Sequence, residues 1–330
     1  MAALSRTDDQ IKAALRAADD AEATPAEKAE MLMEIAMGLQ QKPQTADDIE
    51  AAVGLYEMAL DVCPESLSLL AARIGARMGT ALMAIPSGSA DPLERARDVL
   101  EAALPMLSAE GLAEEVAEVE MNLGLTLQNL AGMHRARIQD AISAYQRALR
   151  TFDKIRHPKD FAILQNNLAT AFLSIPFTDE KSKMREALAV QAFEEGLAVV
   201  TLIDHPSEYA MLQNNLGNAL QYVSSSHRIE NGFRALEAYD EALKVRTAQR
   251  APGEYANTIA NKANCLANLP DDPSNPEAGG SSNGAAAIAL YCEAATIFAS
   301  LGEREKAAAV NAAIPSHTTW SAGQRRHRRT

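Results

Sequence analysis

Apolar residues recur along this chain with the period of an α-helix. When Phe161 is counted as position 0, positions 0, 3, 7, 10, 11 and 14 are apolar, and the same holds when counting starts at Tyr209. At about 100° per residue these positions fall on one face of a helix. The period-2 alternation of a strand is absent, and glycine and proline lie mostly between the helical runs. The pattern therefore predicts an all-α fold.

The helical segments are copies of one another. Residues 161–169 and 209–217 have nearly the same sequence and lie 48 residues apart. A third copy begins at Tyr255, and weaker copies begin at Val116 and Ala71. Because glycine inside a helix costs about 1 kcal/mol relative to Ala, a small residue that recurs at position 8 indicates that another helix packs closely over it. The residues at position 8 are Gly79, Gly124, Ala169, Gly217 and Ala263.

A second helix with the pattern Ala-x3-aromatic-x2-Ala follows each first helix. Steps of four and three keep the three residues on one face. The triplets are Ala52-Tyr56-Ala59, Ala96-Leu100-Ala103, Ala141-Tyr145-Ala148, Ala189-Phe193-Gly196, Ala235-Tyr239-Ala242 and Ala287-Tyr291-Ala294. They predict six helical hairpins over residues 27–302. We expect a capping helix near residues 7–20 within the segment 1–26 and another over 303–316, because the end repeats of an array need their outer faces covered. A disordered basic tail is expected over 317–330.

These hairpins resemble the tetratricopeptide repeat family over about residues 27 to 300. The resemblance rests on the second-helix triplet and on a Leu-Gly or Leu-Ala pair in the first helix, seen at Leu123-Gly124, Leu168-Ala169 and Leu216-Gly217. The common repeat has 34 residues, whereas this one has about 45. In that respect it is more similar to the long repeats of kinesin light chains and related bacterial proteins. The resemblance implies a right-handed α-solenoid of stacked antiparallel helix hairpins whose concave side binds a protein or peptide.

Asparagine recurs at positions 5, 6 and 9, opposite the apolar face. Asn is a poor residue for a helix interior because its side chain competes for backbone hydrogen bonds. One interpretation is a clamp for a peptide backbone, since each side chain offers two donors and an acceptor, and the resemblance implies the same. The alternative is a structural role between repeats, above all at position 6. The predicted partner-binding residues are Asn166, Asn167, Asn214, Asn215, Asn218, Asn257, Asn261 and Asn264.

A peptide must reach the clamp, so we expect Asn166, Asn214 and Asn218 to be at least partly accessible. Some relatives hold a C-terminal carboxylate with Lys and Arg among such asparagines. In the first copies of this chain, the only basic candidates near the groove are Arg73 and Arg77. Two arginines are too few to predict a full carboxylate clamp.

Charge and composition narrow the class of partner. The 330 residues carry a net charge of −13, and the last six hold four arginines and no acid, so the rest of the chain carries −17. That field disfavours nucleic acid and anionic membranes and favours a basic protein or peptide partner, although it also serves solubility. Cys63, Cys265 and Cys292 lack metal-ligand or redox spacing. Together with the absence of an apolar leader or an apolar run of eighteen residues, this predicts a cytoplasmic protein with reduced thiols.

The sequence contains none of the common enzyme motifs, whether glycine-rich phosphate loops, a nucleophile elbow or a metalloprotease helix. We therefore expect no catalytic residue, no metal and no cofactor. The favoured hypothesis is a non-enzymatic adaptor, scaffold or assembly chaperone with an Asn-lined concave groove. The other hypothesis is a regulatory sensor that binds a small peptide and switches an effector surface.

Overall fold

The computed structural model describes residues 23–43, 45–175, 182–223, 227–272, 274 and 282–314. Within these ranges the chain forms thirteen α-helices and no strand, which confirms the predicted all-α fold. The helices are α1 (Pro25–Gln41), α2 (Ala46–Val62), α3 (Ser68–Met83), α4 (Asp91–Glu110), α5 (Ala113–Gly132), α6 (Ile138–Ala148), α7 (Pro158–Leu173), α8 (Ser182–Leu197), α9 (Pro206–Tyr222), α10 (Arg228–Leu243), α11 (Pro252–Ala267), α12 (Ser282–Ser300) and α13 (Arg304–Ala313).

The chain divides into two compact units between Asp153 and Lys154. In unit 1 the helices pair as α1 with α2, α3 with α4, and α5 with α6. In unit 2 they pair as α7 with α8, α9 with α10, and α11 with α12, and α13 packs against α12. The first helices of successive hairpins also touch, α1–α3–α5 in unit 1 and α7–α9–α11 in unit 2. The helix predicted near residues 7–20 and the basic tail at 317–330 lie outside the described residues.

Proline begins the first helices of unit 2. Pro158, Pro206 and Pro252 occupy the first turns of α7, α9 and α11, where a missing N–H leaves no hydrogen bond unmade. In unit 1, the Thr24 hydroxyl accepts a hydrogen bond from the Glu27 amide, and the Glu27 carboxylate accepts one from the Thr24 amide at 2.8 Å. This capping box starts α1. These local signals mark where α1, α7, α9 and α11 begin.

The second helix packs closely over position 8 of the first, as the small residues there predict. A Cβ atom added to Gly124 would lie 2.5 Å from the ring of Tyr145 on the facing helix, and one added to Gly217 would lie 2.7 Å from the ring of Tyr239. Both distances are far shorter than carbon atoms tolerate, so the glycines allow the aromatic rings to lie against the helix backbone. In these two hairpins the tyrosine ring of the second helix therefore lies directly against the backbone of the first.

Three of the buried triplet tyrosines, Tyr56, Tyr145 and Tyr239, have hydroxyls that bond to glutamine at position 12 of the first helix, whereas Tyr291 donates to Asn264 at position 9. Tyr56 donates to Gln40 and Tyr145 to Gln128, each at 2.8 Å. Burial raises the pKa of Tyr56 to about 12. Where the triplet carries no hydroxyl, position 12 is apolar instead. In these two repeats the triplet residues are Leu100 and Phe193, and the residues at position 12 are Met83 and Leu173, respectively.

We expect Tyr239→Phe to lower the free energy of unfolding by about 1–3 kcal/mol. The Tyr239 hydroxyl donates to Asn218 Oδ1 at 2.7 Å and accepts from Gln221 Nε2 at 2.5 Å. Its loss removes the donor to Asn218 and leaves Gln221 Nε2 with only the Asn261 carbonyl oxygen, at 3.3 Å. Urea denaturation followed by circular dichroism measures the change. Tyr255→Phe is the matched control, because that hydroxyl donates to Glu293 at the surface and its loss costs less than about 0.5 kcal/mol. Equal losses for the two variants would contradict this assignment.

Candidate functional site

Five asparagine side chains of unit 2 form a continuous chain of hydrogen bonds across three hairpins, which we name the asparagine ladder. Asn166 donates to Asn167 at 3.2 Å, and Asn215 of the next hairpin donates to Asn166 at 2.8 Å. Asn214 donates to Asn215 at 3.0 Å, and Asn261 of the third hairpin donates to Asn214 at 3.3 Å. The ladder therefore links α7, α9 and α11 side by side.

Asn166 and Asn214 are buried, with only 6% and 3% of their surfaces exposed. The prediction that these two side chains are accessible is therefore wrong. Because α7, α9 and α11 lie beside one another, position 5 falls in the seam between neighbouring first helices and not on the open face. The alternative role, a link between repeats, accounts for the hydrogen bonds at position 5 as well as at position 6.

The other predicted residues are more accessible. Asn218 is half-buried and accepts from Tyr239, while Asn264 is half-buried and donates to the hydroxyl of Tyr222 at 2.7 Å. Asn257 is exposed. Asn167, Asn215 and Asn261 are half-buried members of the ladder. A partner-binding role for these six residues stays a prediction.

A groove with a volume of about 470 Å³ crosses unit 1 along α1, α3 and α5. On α3 it is lined by Ala76, Arg77 and Thr80, which are positions 5, 6 and 9 of the copy that begins at Ala71. When α1 is numbered from Lys28, its residues at the same positions also line the groove. These are Met33, Glu34 and Met37. The positions that the sequence assigns to the open face are therefore open in unit 1, where none of the predicted asparagines lies.

Apolar side chains form one part of the groove wall. Met33 and Met37 are half-buried on α1, while Val119 on α5 and Leu107 on α4 are buried. Methionine is unbranched and polarizable, so it adapts to differently shaped apolar groups and is common at surfaces that accept several ligands. The polar lining includes Asn122, whose side chain donates to Thr80 of the preceding hairpin at 3.4 Å.

One ion pair in the groove is internal to the protein. Arg73 Nε and Nη2 donate to the two carboxylate oxygens of Glu115 at 2.7 and 3.1 Å. These hydrogen bonds raise the pKa of Arg73 and lower the pKa of Glu115. Glu115 also accepts from the Leu112 amide at 2.9 Å, at the start of α5. Because the pair is partly exposed, it adds little stability, but it neutralises both charges.

In the described ranges, the other three charged residues of the groove form no ion pair, although Arg77 lies near enough to Glu115 to help lower the pKa of that carboxylate. Glu34 on α1, Arg77 on α3 and Glu118 on α5 are exposed. Among the described residues, none of the three has an ion pair within 4 Å or a side-chain hydrogen bond. They are free to contact a ligand.

Throughout the described ranges, no group of three or more His, Cys, Asp or Glu side chains is placed to hold a metal ion. In the same part of the chain, no helix is both long enough and apolar enough to cross a bilayer.

Similarity to solved structures supports the repeat fold. BtubC (BKLC) from P. vanneervenii matches with a TM-score of 0.53 and 20% sequence identity, over 74% of this chain and 90% of that one. The solved structures found in this way are tetratricopeptide-type proteins. This chain has a tetratricopeptide-type fold. No model of a known protein family matches it, and no similar sequence was found among curated proteins.

Two further tetratricopeptide-type structures match less closely. A Rap protein complexed with Competence and Sporulation Factor matches with a TM-score of 0.48 and 13% identity, over 91% of this chain and 81% of that one. The TPR2AB domain of yeast Sti1, in a pHSP90 complex, matches with a TM-score of 0.29 and 14% identity, over 87% of this chain and 96% of that one. At these values the matches add nothing about the ligand of this chain.

The residues that sequence reasoning missed lie on α1. Met33, Glu34 and Met37 line the groove. The first-helix pattern, however, is recognisable only from the copy at Ala71 onward, because α1 lacks both the asparagines and the Leu-Gly pair of the later copies. A signal was present, since Ala36 is the small residue at position 8 and Gln40 the glutamine at position 12 when counting starts at Lys28. Numbering α1 in the same way as the later first helices places the three residues at positions 5, 6 and 9, the positions that line the groove on α3.

Proposed function

We propose that this chain is a non-enzymatic protein-binding repeat that takes a peptide segment of its partner into the groove of unit 1. The groove across α1, α3 and α5 carries this proposal, because it combines an apolar wall with three charged groups that form no ion pair with any described residue. Ligand sites are generally concave and mostly apolar, with a few polar groups that fix orientation. Repeat proteins use surfaces of this kind for extended segments of other proteins.

The size of the groove fits a short peptide. Its volume of about 470 Å³ lies within the range of about 300–1,000 Å³ that is typical of ligand pockets. Half-buried Met33 and Met37 would cover an apolar side chain of the ligand, and the amide of Asn122 would contact its backbone. Among the predicted asparagines of unit 2, Asn257 is exposed and is our candidate for a further contact with a partner.

We expect Met37→Lys to weaken peptide binding by at least about tenfold, since it places a charge on the apolar wall and loses about 1.4 kcal/mol or more of binding free energy. Peptides are first selected from a random displayed library on the immobilised full chain. Their dissociation constants are then measured by fluorescence anisotropy for the wild type and the variant. Circular dichroism and urea denaturation check that the variant folds.

The matched control is Ile203→Lys, which makes the same kind of change at a residue of unit 2 that is 87% exposed. It should leave the dissociation constants within about twofold of the wild type. Selected peptides that bind Met37→Lys as tightly as the wild type, or that lose affinity only with Ile203→Lys, would show that the groove of unit 1 is not the site.

A further inference from the structure

The three charges of the groove that form no ion pair with any described residue alternate in sign from helix to helix. Glu34 lies on the first helix of the first hairpin, Arg77 on that of the second and Glu118 on that of the third. A segment that crosses the groove along the stack of hairpins therefore meets a negative, a positive and a negative group in turn. The Arg73–Glu115 pair lies beside this order with no net charge, and Arg77 adds to the positive field at Glu115 without a hydrogen bond or an ion pair to it.

The spacing of this charge order suits an extended peptide. Packed helices lie about 8–10 Å apart, and an extended chain advances about 3.3 Å per residue. Successive first helices are thus about three residues apart along a bound segment. A peptide of about seven to nine residues is long enough to face all three charges, and the apolar wall of α1 and α5 covers side chains that lie between them.

Resting on the function proposed above, we propose that the groove selects an extended peptide segment in which an acidic side chain is flanked on both sides, about three residues away, by basic side chains. The acidic group would pair with Arg77, and the two basic groups with Glu34 and Glu118. The order reads the same in both directions, so it holds whichever way the peptide runs. Its net charge of +1 also agrees with the attraction that an acidic protein exerts on basic partners.

A library built for this question tests the charge order directly. Nine-residue peptides carry Lys, Glu or Ser at positions 2, 5 and 8 and random uncharged residues elsewhere. The full chain is immobilised, and retained peptides are sequenced for the wild type and for Arg77→Glu, Met37→Lys and Lys154→Glu. Arg77 is exposed and makes no ion pair among the described residues, so its replacement should leave the fold intact, which circular dichroism confirms.

We expect peptides with Lys, Glu and Lys at the three positions to be enriched at least about fivefold over the inverse order on the wild type. Arg77→Glu should reverse the preference at the middle position from Glu to Lys while leaving the outer positions unchanged. Lys154→Glu makes the same change in charge at an exposed residue of unit 2 and should leave all three preferences as they are. The enrichment should fade above about 0.5 M salt, where exposed charges are screened.

The outcomes separate this proposal from the one on which it rests. Peptides retained by the wild type and lost with Met37→Lys, but without a charge preference that Arg77→Glu reverses, would overturn the charge order and leave the groove as the binding site. Peptides retained equally by Met37→Lys, or no retained peptides at all, would overturn both. A shift of preference with Lys154→Glu equal to that with Arg77→Glu would show only a general effect of net charge, and would overturn the charge order too.

Discussion

Replacing Leu216 by Ala is expected to lower the free energy of unfolding by about 2–5 kcal/mol. Leu216 is 7% exposed and belongs to the apolar core of unit 2, which also contains Phe193, Ala219 and Tyr239. Its truncation removes apolar surface from this core, which joins residues of neighbouring hairpins, and leaves a cavity that the rigid helices fill only in part. Urea denaturation, monitored by circular dichroism at 222 nm, measures the loss.

Ile203→Ala is the control for Leu216→Ala. It removes part of an aliphatic side chain that is 87% exposed, and we expect a change below about 0.5 kcal/mol. If Leu216→Ala also lowered the free energy of unfolding by less than about 0.5 kcal/mol, the positions that the repeat assigns to the apolar face would not be the ones that form the core.

The helices and their pairing could be predicted because they follow from short-range patterns. The period of the apolar residues gives the helices, and the recurring triplet gives the second helix of each hairpin. The small residue at position 8 even predicts the close contact that the structure shows between Gly217 and the ring of Tyr239. Each of these signals concerns two helices that are neighbours in sequence, joined by a short connection.

The seam between first helices could not be predicted in the same way. A helical projection places Asn166 and Asn214 opposite the apolar face, and it treats the second helix as the only neighbour. In the structure the first helices also touch one another, and this lateral contact buries the two side chains. The angle between successive hairpins decides which side of the open face this lateral contact covers. The sequence pattern of a single hairpin does not specify that angle.

The two units use the same repeat positions for different purposes. In unit 2, positions 5 and 6 carry the asparagine ladder, whose side chains form hydrogen bonds between neighbouring hairpins. In the first two hairpins of unit 1 they carry Met33, Glu34, Ala76 and Arg77, and these side chains line an open groove. In the third, Asn122 at position 6 lines the groove and also donates to Thr80 of the preceding hairpin. The recurrence of asparagine was therefore the stronger sequence pattern, but the less repetitive positions of unit 1 are those that the structure leaves open to a ligand.

We expect Asn214→Ala to lower the free energy of unfolding by about 1–3 kcal/mol. The substitution removes the group that donates to Asn215 and accepts from Asn261, so an acceptor and a donor are left unpaired in the seam between α9 and its neighbours. The higher helix propensity of alanine offsets at most about 0.7 kcal/mol of this loss. Urea denaturation measures the stability, and the affinity of peptides selected on the wild type is measured in parallel and should stay within about twofold.

Asn257→Ala is the control that distinguishes the loss of hydrogen bonds in the seam from the gain in helix propensity. Asn257 is exposed on α11, so the same substitution there removes no buried hydrogen bond, and the free energy of unfolding should stay unchanged or rise by up to about 0.7 kcal/mol. The two variants should thus differ in sign. If Asn214→Ala instead left stability unchanged and weakened peptide binding by tenfold or more, the ladder would be a peptide clamp despite its burial, and unit 2 would be the binding unit.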